Sequence, residues 1–295
     1  MSPSTTSNAS SSANPVLAWG RLLRLSLATT AAADVVAGAV YSAHSVPSAA
    51  RLWLPVLASL CVYHGGMALN DWADRWRDRE TRPERPIPAG LISPQAALAV
   101  GLVLLGLGPL IANWYSGNSA ALLGVVAVLA FVYNLAGRGP WLGPLLLGMC
   151  RAGNLLAGME AFGVLLNEGK WLAAGYGAYV FLVSRLGRME DGEQARVGNA
   201  PRKLLIGAGV CQLVPLISGF AATAPLGAGL LIWIATQTKS WTRPAIVGAM
   251  GNALRLLLFY TASVAWVGGG PLPALGLLAV GFPLAWVLRQ VFPPS

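Results

Sequence analysis

Apolar runs long enough to cross a bilayer recur along nearly the whole chain, separated by short polar breaks. A transmembrane helix needs about 20 apolar residues, and the runs approach or reach that length. They cover residues 23–43, 52–70, 93–113, 119–136, 141–165, 171–187, 204–222, 224–238, 245–267 and 272–289. The pattern predicts an all-α, polytopic transmembrane bundle of nine or ten spans. The count stays open because prolines and glycines interrupt residues 204–240 and the eighth run is short.

The composition fits a membrane protein and excludes a water-soluble fold. Of 295 residues 55% are apolar and 11% are charged, against about 25% charged residues in an average soluble domain. Residues 1–16 are rich in Ser, Thr and Asn and lack the basic and apolar regions of a signal peptide. We expect a disordered cytoplasmic tail there and one transmembrane domain over residues 17–295.

The net charge of +9 comes from basic residues that flank the predicted spans. With the N-terminus inside, only Arg51 and Lys170 of the flanking basic residues fall on the outer side. Because cytoplasmic loops are enriched in Lys and Arg, both termini are expected in the cytoplasm, with a bacterial inner membrane as the expected location. The charge therefore indicates topology and membrane lipids as surroundings. It indicates no nucleic-acid partner, and protein partners stay open.

The loop after the second span carries acidic residues in a helical pattern. It reads NDWADRWRDRETRPERPIPAG, and Asn70, Asp71, Asp74 and Asp78 share one face if it is helical. Carboxylates at that spacing repel one another unless a cation neutralises them. Mg²⁺ suits the site, since it takes one or two carboxylates and completes its shell with water and phosphate oxygens. The face therefore predicts a site for Mg²⁺ and a diphosphate.

A basic and proline-rich segment follows this face. Its arginines can bind phosphate oxygens, although arginines beside a span also orient the protein; they are Arg75, Arg79, Arg82 and Arg85. The prolines predict a rigid non-helical strap that ends at Ser93, the expected cap of the next helix.

The motifs NDxxDxxxD and RPxRPIPxG in this loop resemble the first signature of the UbiA superfamily of intramembrane prenyltransferases. The preceding YHGGMALNDWADR is most similar to the EboC-like branch. The resemblance implies a Mg²⁺-dependent enzyme that moves a polyprenyl group from a prenyl diphosphate to a lipophilic acceptor, for which an aromatic ring is one candidate. It also implies that Tyr133, Asn134, Arg151 and Asn154 line the substrate cavity.

The loop after the sixth span, VSRLGRMEDGEQARVG, departs from the second acidic signature of that superfamily. Glu190, Asp191 and Glu193 are acidic, but Val183 or Ser184 and Gly187 stand where the leading aspartate is expected. Either one Mg²⁺ suffices, with Arg185 and Arg188 compensating charge, or the protein binds a prenyl diphosphate without turnover.

The sequence thus predicts a site of three parts. The catalytic residues are Asp71, Asp74, Asp78, Glu190 and Asp191. The metal ligands are Asp71, Asp74, Asp78, Glu190 and Glu193. The substrate-binding residues are Asn70, Arg82, Arg85, Tyr133, Asn134, Arg151, Asn154, Arg185 and Arg188.

Ionisable residues inside the spans allow a rival hypothesis. Asp34, Arg151, Glu160 and Arg255 could line the path of a non-catalytic lipid carrier or transporter. A transporter should concentrate its polar site near the midplane, whereas most acids and bases here lie at the cytoplasmic ends of the second and sixth spans. This distribution favours the enzyme. Asp34 is expected to bond to the second span, and Glu160 to lie near the outer interface.

Overall fold

The computed structural model describes residues 14–136, 139–163, 165–189 and 198–293. Regular structure within these ranges is helical. The helices are α1 (Pro15–Leu22), α2 (Ala28–Ala43), α3 (Ala49–Thr81), α4 (Pro94–Asn113), α5 (Gly117–Leu135), α6 (Leu142–Glu160), α7 (Asn167–Gly187), α8 (Ala200–Cys211), α9 (Thr223–Gln237), α10 (Arg243–Gly269) and α11 (Pro271–Val291). Short 3₁₀ turns lie at Leu25–Leu27, before α2, and at Val214–Ile217, after α8.

Helices α2 to α11 fall on the ten predicted apolar runs, so the all-α membrane architecture is confirmed. Among the described residues, seven helices are long and apolar enough to cross a membrane. The other three are α6, α7 and α9. Helix α9 has only 15 residues, and α6 and α7 carry two and three charged residues. Pro215 lies in the 3₁₀ turn that ends the seventh run, where a proline cannot continue an α-helix.

The N-terminal boundary differs from the sequence prediction. Helix α1 begins at Pro15, and the Asn14 side chain accepts a hydrogen bond from the Val16 N–H at 3.0 Å. The last two residues of the predicted tail are therefore helical, because an N-cap and a proline in the first turn favour a helix start. The first 13 residues lie outside the described ranges.

Helix α3 continues well beyond the predicted end of its span at residue 70. Its 33 residues correspond to about 50 Å, whereas the apolar core of a bilayer is about 30 Å thick. The C-terminal third therefore carries the acidic face out of the apolar core. The strap is non-helical as predicted, and the Ser93 hydroxyl accepts from the Ala96 N–H at 3.2 Å to begin α4.

Close packing of α2 against α6 sets the position of the buried polar groups. Gly38 of α2 lies against the α6 backbone, and Gly158 of α6 lies against the α2 backbone at Val35. Small residues let helix backbones approach closely in a membrane. This contact holds the Asp34 region of α2 against the polar face of α6.

We predict that Gly158→Ala destabilises the protein, by about 1–3 kcal/mol. A Cβ at this position would lie 2.6 Å from the Val35 carbonyl oxygen, so α2 and α6 must separate. Gly124→Ala in α5 is the matched control, because nothing lies within 4 Å of its added Cβ. Thermal unfolding in detergent measures both, and equal midpoints for the two variants would contradict the packing described.

Candidate active site

The acidic face of α3 contains two buried carboxylates joined by one arginine. Asp71 and Asp78 are each only 3% exposed, and Arg85 in the strap is 5% exposed. Arg85 Nη1 donates to Asp78 Oδ2 at 2.7 Å and lies 3.6 Å from Asp71 Oδ1. The strap prolines limit the backbone of this segment, which holds the guanidinium between two carboxylates that lie about two helical turns apart on α3.

Arg24 is a second cation at this face, and the sequence pattern indicates it only as one of the basic residues that flank the predicted spans. Its Nη2 donates to Asp71 Oδ1 at 3.2 Å. Burial lowers the pKa of Arg24, but Asp71, Tyr63 and Tyr133 together raise it, so the net pKa is raised. Arg24 has φ 51° and ψ 49°, a left-handed conformation that is uncommon outside glycine. The positions of Arg24 and Asp71 in the sequence, 47 residues apart, do not indicate that the two side chains are in contact.

Asn70 and Asp74 occupy adjacent turns of the same helix. The Asn70 amide donates to Asp74 Oδ2 at 3.4 Å. Within the described ranges, no three His, Cys, Asp or Glu side chains converge closely enough to hold a metal ion. Arg24 and Arg85 instead supply positive charge to Asp71 and Asp78.

The donor set nevertheless fits Mg²⁺ by its chemistry. Asp71, Asp74 and Asp78 offer carboxylate oxygens along one face of α3, and oxygen is the ligand atom that Mg²⁺ prefers. Mg²⁺ commonly binds through one or two carboxylates and takes its other ligands from water and phosphate. Such a site does not require three converging protein ligands.

The other arginines of this segment lie at the C-terminal end of α3. Arg75 lies 4.4 Å from the Trp72 ring centre, and Arg79 lies 4.4 Å from that of Trp76. Arg82 is half-buried, and its backbone N–H donates to the Asp78 carbonyl at 2.8 Å. The tryptophans therefore contact arginines. Arg82 follows Asp78, which accepts the hydrogen bond from Arg85, by about one helical turn.

A mostly apolar cavity of about 130 Å³ lies beside the acidic face, between α2, α3, α5 and α6. The four residues predicted to line a cavity, Tyr133, Asn134, Arg151 and Asn154, all form part of its wall. Gly66 also lines it, one turn of α3 before Asn70. The Asn134 amide donates to the Gly66 carbonyl at 3.1 Å and thereby joins α5 to α3.

Asp34 is fully buried and bonds to α6 and α7, so its predicted bond to the second span is wrong. Its Oδ1 accepts from Arg151 Nη2 at 3.1 Å and from the Tyr176 hydroxyl at 2.6 Å. Its Oδ2 accepts from the Asn154 amide at 3.0 Å. The second span takes part only through Ser59, whose hydroxyl donates to Asn154 Oδ1 at 2.7 Å. The tight contact of α2 with α6 explains why Asp34 bonds to α6 and not to the second span.

The two arginines at the end of α7 take different positions. Arg188 Nη2 donates to the hydroxyl of Tyr133, a residue that lines the cavity, at 3.3 Å. Arg185 lies 4.1 Å from the Trp141 ring centre and donates to the Pro140 carbonyl at 2.6 Å. Arg185 is therefore turned towards the connection between α5 and α6. Glu190, Asp191 and Glu193 lie outside the described residues, and their roles stay predictions.

The ionisable groups of the transport hypothesis do not form one path. Glu160 Oε2 accepts from the Asn118 amide at 2.9 Å, at the end of α6 remote from the acidic face. Arg255 donates to Asn252 Oδ1 at 2.7 Å on the exposed side of α10. Only Asp34 and Arg151 pair with each other. This separation favours a local site over a continuous route.

We predict that Arg85→Gln destabilises the protein by about 3–5 kcal/mol, since it removes the cation from a buried pair. Arg24→Gln should cost about 0–1 kcal/mol, because the Arg24 side chain is 32% exposed. Thermal unfolding in detergent compares the two. Equal losses of stability in the two variants would show that the buried Arg85 bridge contributes no more to stability than the partly exposed Arg24 contact.

The chain is similar to known proteins in sequence and in fold. The profile of the UbiA prenyltransferase family matches residues 27–192. A digeranylgeranylglyceryl phosphate synthase from Metallosphaera sedula is 32% identical over 161 residues, which is 54% of this chain and 54% of the relative. The enzyme of that name from Halobacterium salinarum is 29% identical over 231 residues, 70% of this chain and 82% of the relative.

The fold is also that of a solved relative. The structure of a UbiA homolog from Archaeoglobus fulgidus bound to DMAPP and Mg²⁺ matches with a TM-score of 0.56 and 13% identity. The match covers 84% of this chain and 98% of the other. At this identity the likeness concerns the fold alone, whereas the profile covers more than half of the sequence. The chain belongs to the UbiA prenyltransferase family.

Proposed function

We propose that the protein transfers a polyprenyl group from a prenyl diphosphate to a lipophilic acceptor and that it requires Mg²⁺. The observation that carries the proposal is the buried pair Asp71 and Asp78, bridged by Arg85 beside an apolar intramembrane cavity. The aspartates and arginine would bind the charged diphosphate head of the substrate, and the apolar cavity would accommodate its prenyl tail. The names of the curated relatives and the ligands of the solved one support the same chemistry.

The diphosphate would lie at the acidic face. One or two of the Asp71, Asp74 and Asp78 carboxylates would hold Mg²⁺, which when bound would stabilise negative charge on the diphosphate. Arg82 and Arg85 lie where they can contact phosphate oxygens, and guanidinium groups bind such oxygens bidentately. Asn70 adds an amide donor on the same face.

In the transfer, the bond between the first prenyl carbon and the diphosphate oxygen breaks, and its electron pair leaves with the diphosphate. The acceptor supplies the pair for the new bond to that carbon and releases a proton. The apolar wall of the cavity keeps water away from the allylic cation. Tyr133 offers an aromatic face there, held through its hydroxyl by Arg188.

The loop after α7 would be a weaker second site. We propose that Glu190, Asp191 and Glu193 assist the leaving group, with Arg188 and Arg185 compensating charge nearby. Basic residues at both polar loops support a cytoplasmic location for this chemistry and for both termini. The proposed location is a bacterial inner membrane, and the proposed domain covers residues 17–295.

A second candidate function is binding of a prenyl diphosphate without turnover, as in a lipid carrier. The absence of an aspartate at Val183, Ser184 and Gly187 favours it. Turnover measurements separate the two functions, because a carrier binds the diphosphate and releases none.

We predict that the purified protein releases diphosphate from at least one member of a panel of prenyl diphosphates only when Mg²⁺ is present. Asp74→Ala should reduce release by on the order of 100-fold or more and should also abolish binding, because it removes a ligand from the charge-stabilising group. Glu190→Ala should lower turnover more than binding. Glu160→Gln, at the opposite end of the bundle, is the matched control and should change neither.

Binding of a prenyl diphosphate without release of diphosphate under any condition would support the carrier instead. Equal binding losses in Asp74→Ala and Glu190→Ala would contradict one strong site and indicate two metal sites of similar weight.

A further inference from the structure

Arg24 occupies a backbone position that ordinarily belongs to glycine. It follows the end of α1, and its N–H donates to the Arg21 carbonyl at 3.0 Å. With φ 51° and ψ 49° it is left-handed, the conformation that glycine or asparagine usually supplies just after a helix. Other side chains adopt it at a cost in free energy. An arginine at this position therefore indicates that its side chain is needed.

Contacts from two distant segments hold the end of α1 in this conformation. Nδ1 of His64, in α3, lies 2.7 Å from the Leu23 carbonyl oxygen. Because a carbonyl oxygen only accepts, Nδ1 carries the proton and donates. The Phe292 ring at the end of α11 lies against Gly20 and fills the space that a Cβ would take there. These contacts fix the residues immediately before Arg24.

Helix α1 also packs against the strap that carries Arg85. Leu22 of α1 and Ile87 of the strap belong to one buried apolar cluster, and Ile87 follows Arg85 by two residues. Arg24 and Arg85 approach the same oxygen, Asp71 Oδ1, at 3.2 and 3.6 Å. The two cations at Asp71 therefore come from segments that contact each other.

The two arginines differ in their freedom to move. The Arg24 side chain is 32% exposed, whereas that of Arg85 is 7% exposed and also bonds to Asp78 at 2.7 Å. Asp71 itself is 3% exposed, so a cation from solution reaches its carboxylate only after a neighbouring group moves. Arg24 borders solvent and is therefore the group that can turn aside.

We propose that Arg24 is a resident counter-ion that competes with Mg²⁺ for Asp71, and that His64 is the residue that positions Arg24 there. The inference rests on the proposed function for the identity of the metal. A positive charge this close to a carboxylate opposes the approach of a second cation. It lowers the affinity for Mg²⁺ alone, so the oxygen ligands of a diphosphate matter more for metal binding. His64 acts through the Leu23 carbonyl and hence through Arg24, which makes it a positioning residue.

The competition is tested by titrating the full-length protein in detergent with Mg²⁺ alone and measuring the thermal unfolding midpoint. Arg24→Gly removes the cation and keeps the left-handed backbone without steric cost. We expect it to lower the Mg²⁺ concentration at half of the maximal shift by about fivefold or more. His44→Gly is the matched control, because His44 is exposed and left-handed at the end of α2, and it should leave the titration unchanged. An unchanged or raised concentration in Arg24→Gly, or no shift at all, would overturn the inference.

The role of His64 is separated from a general loss of structure by the sign of the effect. His64→Phe retains the ring beside Tyr63, whose centre lies 5.2 Å away, but lacks the donor. It should release Arg24 and tighten Mg²⁺ binding by up to the same factor as Arg24→Gly, whereas damage to the site would weaken binding. His64→Asn keeps an amide donor near the position of Nδ1 and should resemble the wild-type protein. Because His64 acts through Arg24, Arg24→Gly with His64→Phe should gain no more than Arg24→Gly alone.

Weaker or unchanged Mg²⁺ binding in His64→Phe would overturn the positioning role, and so would additive gains in the double variant. His64→Leu, which also lacks a donor, takes the place of His64→Phe if that variant does not fold. These titrations contain no prenyl diphosphate and are therefore decided without turnover. A protein that shows the expected titrations but releases no diphosphate from any substrate would refute the proposed function and leave this inference intact.

Discussion

Asp71 and Asp78 are carboxylates removed from water on the same face of α3, and this burial constrains the surrounding structure. A buried carboxylate needs a compensating charge, and the Arg85 guanidinium supplies it to both through Nη1. The strap must therefore fold back beside α3 after Thr81 so that Arg85 can contact both aspartates. Its prolines restrict the backbone and favour this path. The turn before α2 adds Arg24 beside Asp71, and Arg24 itself adopts a left-handed backbone conformation. These contacts hold Asp71 and Asp78 on one face of α3 against positive charge from the protein itself.

A second neutralised pair organises the interior of the membrane domain. Asp34 and Arg151 compensate each other between α2 and α6, where glycines allow the two backbones to approach. Charged groups within a membrane are costly and usually face a cavity or a partner, and Arg151 does both. Arg151 lies in the wall of the cavity, and the Arg85 bridge between Asp71 and Asp78 lies further along α3.

The sequence predicts the helices and the acidic face because both depend on short-range patterns. Apolar runs predict α2 to α11, and the spacing of Asp71, Asp74 and Asp78 predicts their shared face. The strap and its end at Ser93 also follow from local rules for proline and caps. In contrast, the contacts of Arg24 with Asp71 and of Tyr176 with Asp34 join residues that are 47 and 142 positions apart. Such contacts depend on helix packing, so no local pattern distinguishes Arg24 from other basic residues beside a span. The expected bond from Asp34 to the second span was wrong for the same reason, because the close contact of Gly38 and Gly158 directs Asp34 to α6.

The most direct test of the account is whether Mg²⁺ and a prenyl diphosphate bind as a unit. Thermal unfolding of the detergent-solubilised protein would be measured with Mg²⁺, with geranyl diphosphate, and with both. A ligand that binds the folded state raises its stability, and two ligands that need each other raise it more together than the sum of their separate effects. The account predicts that Mg²⁺ stabilises the protein chiefly when geranyl diphosphate is present. Independent, additive shifts would contradict a Mg²⁺-bridged diphosphate at Asp71, Asp74 and Asp78.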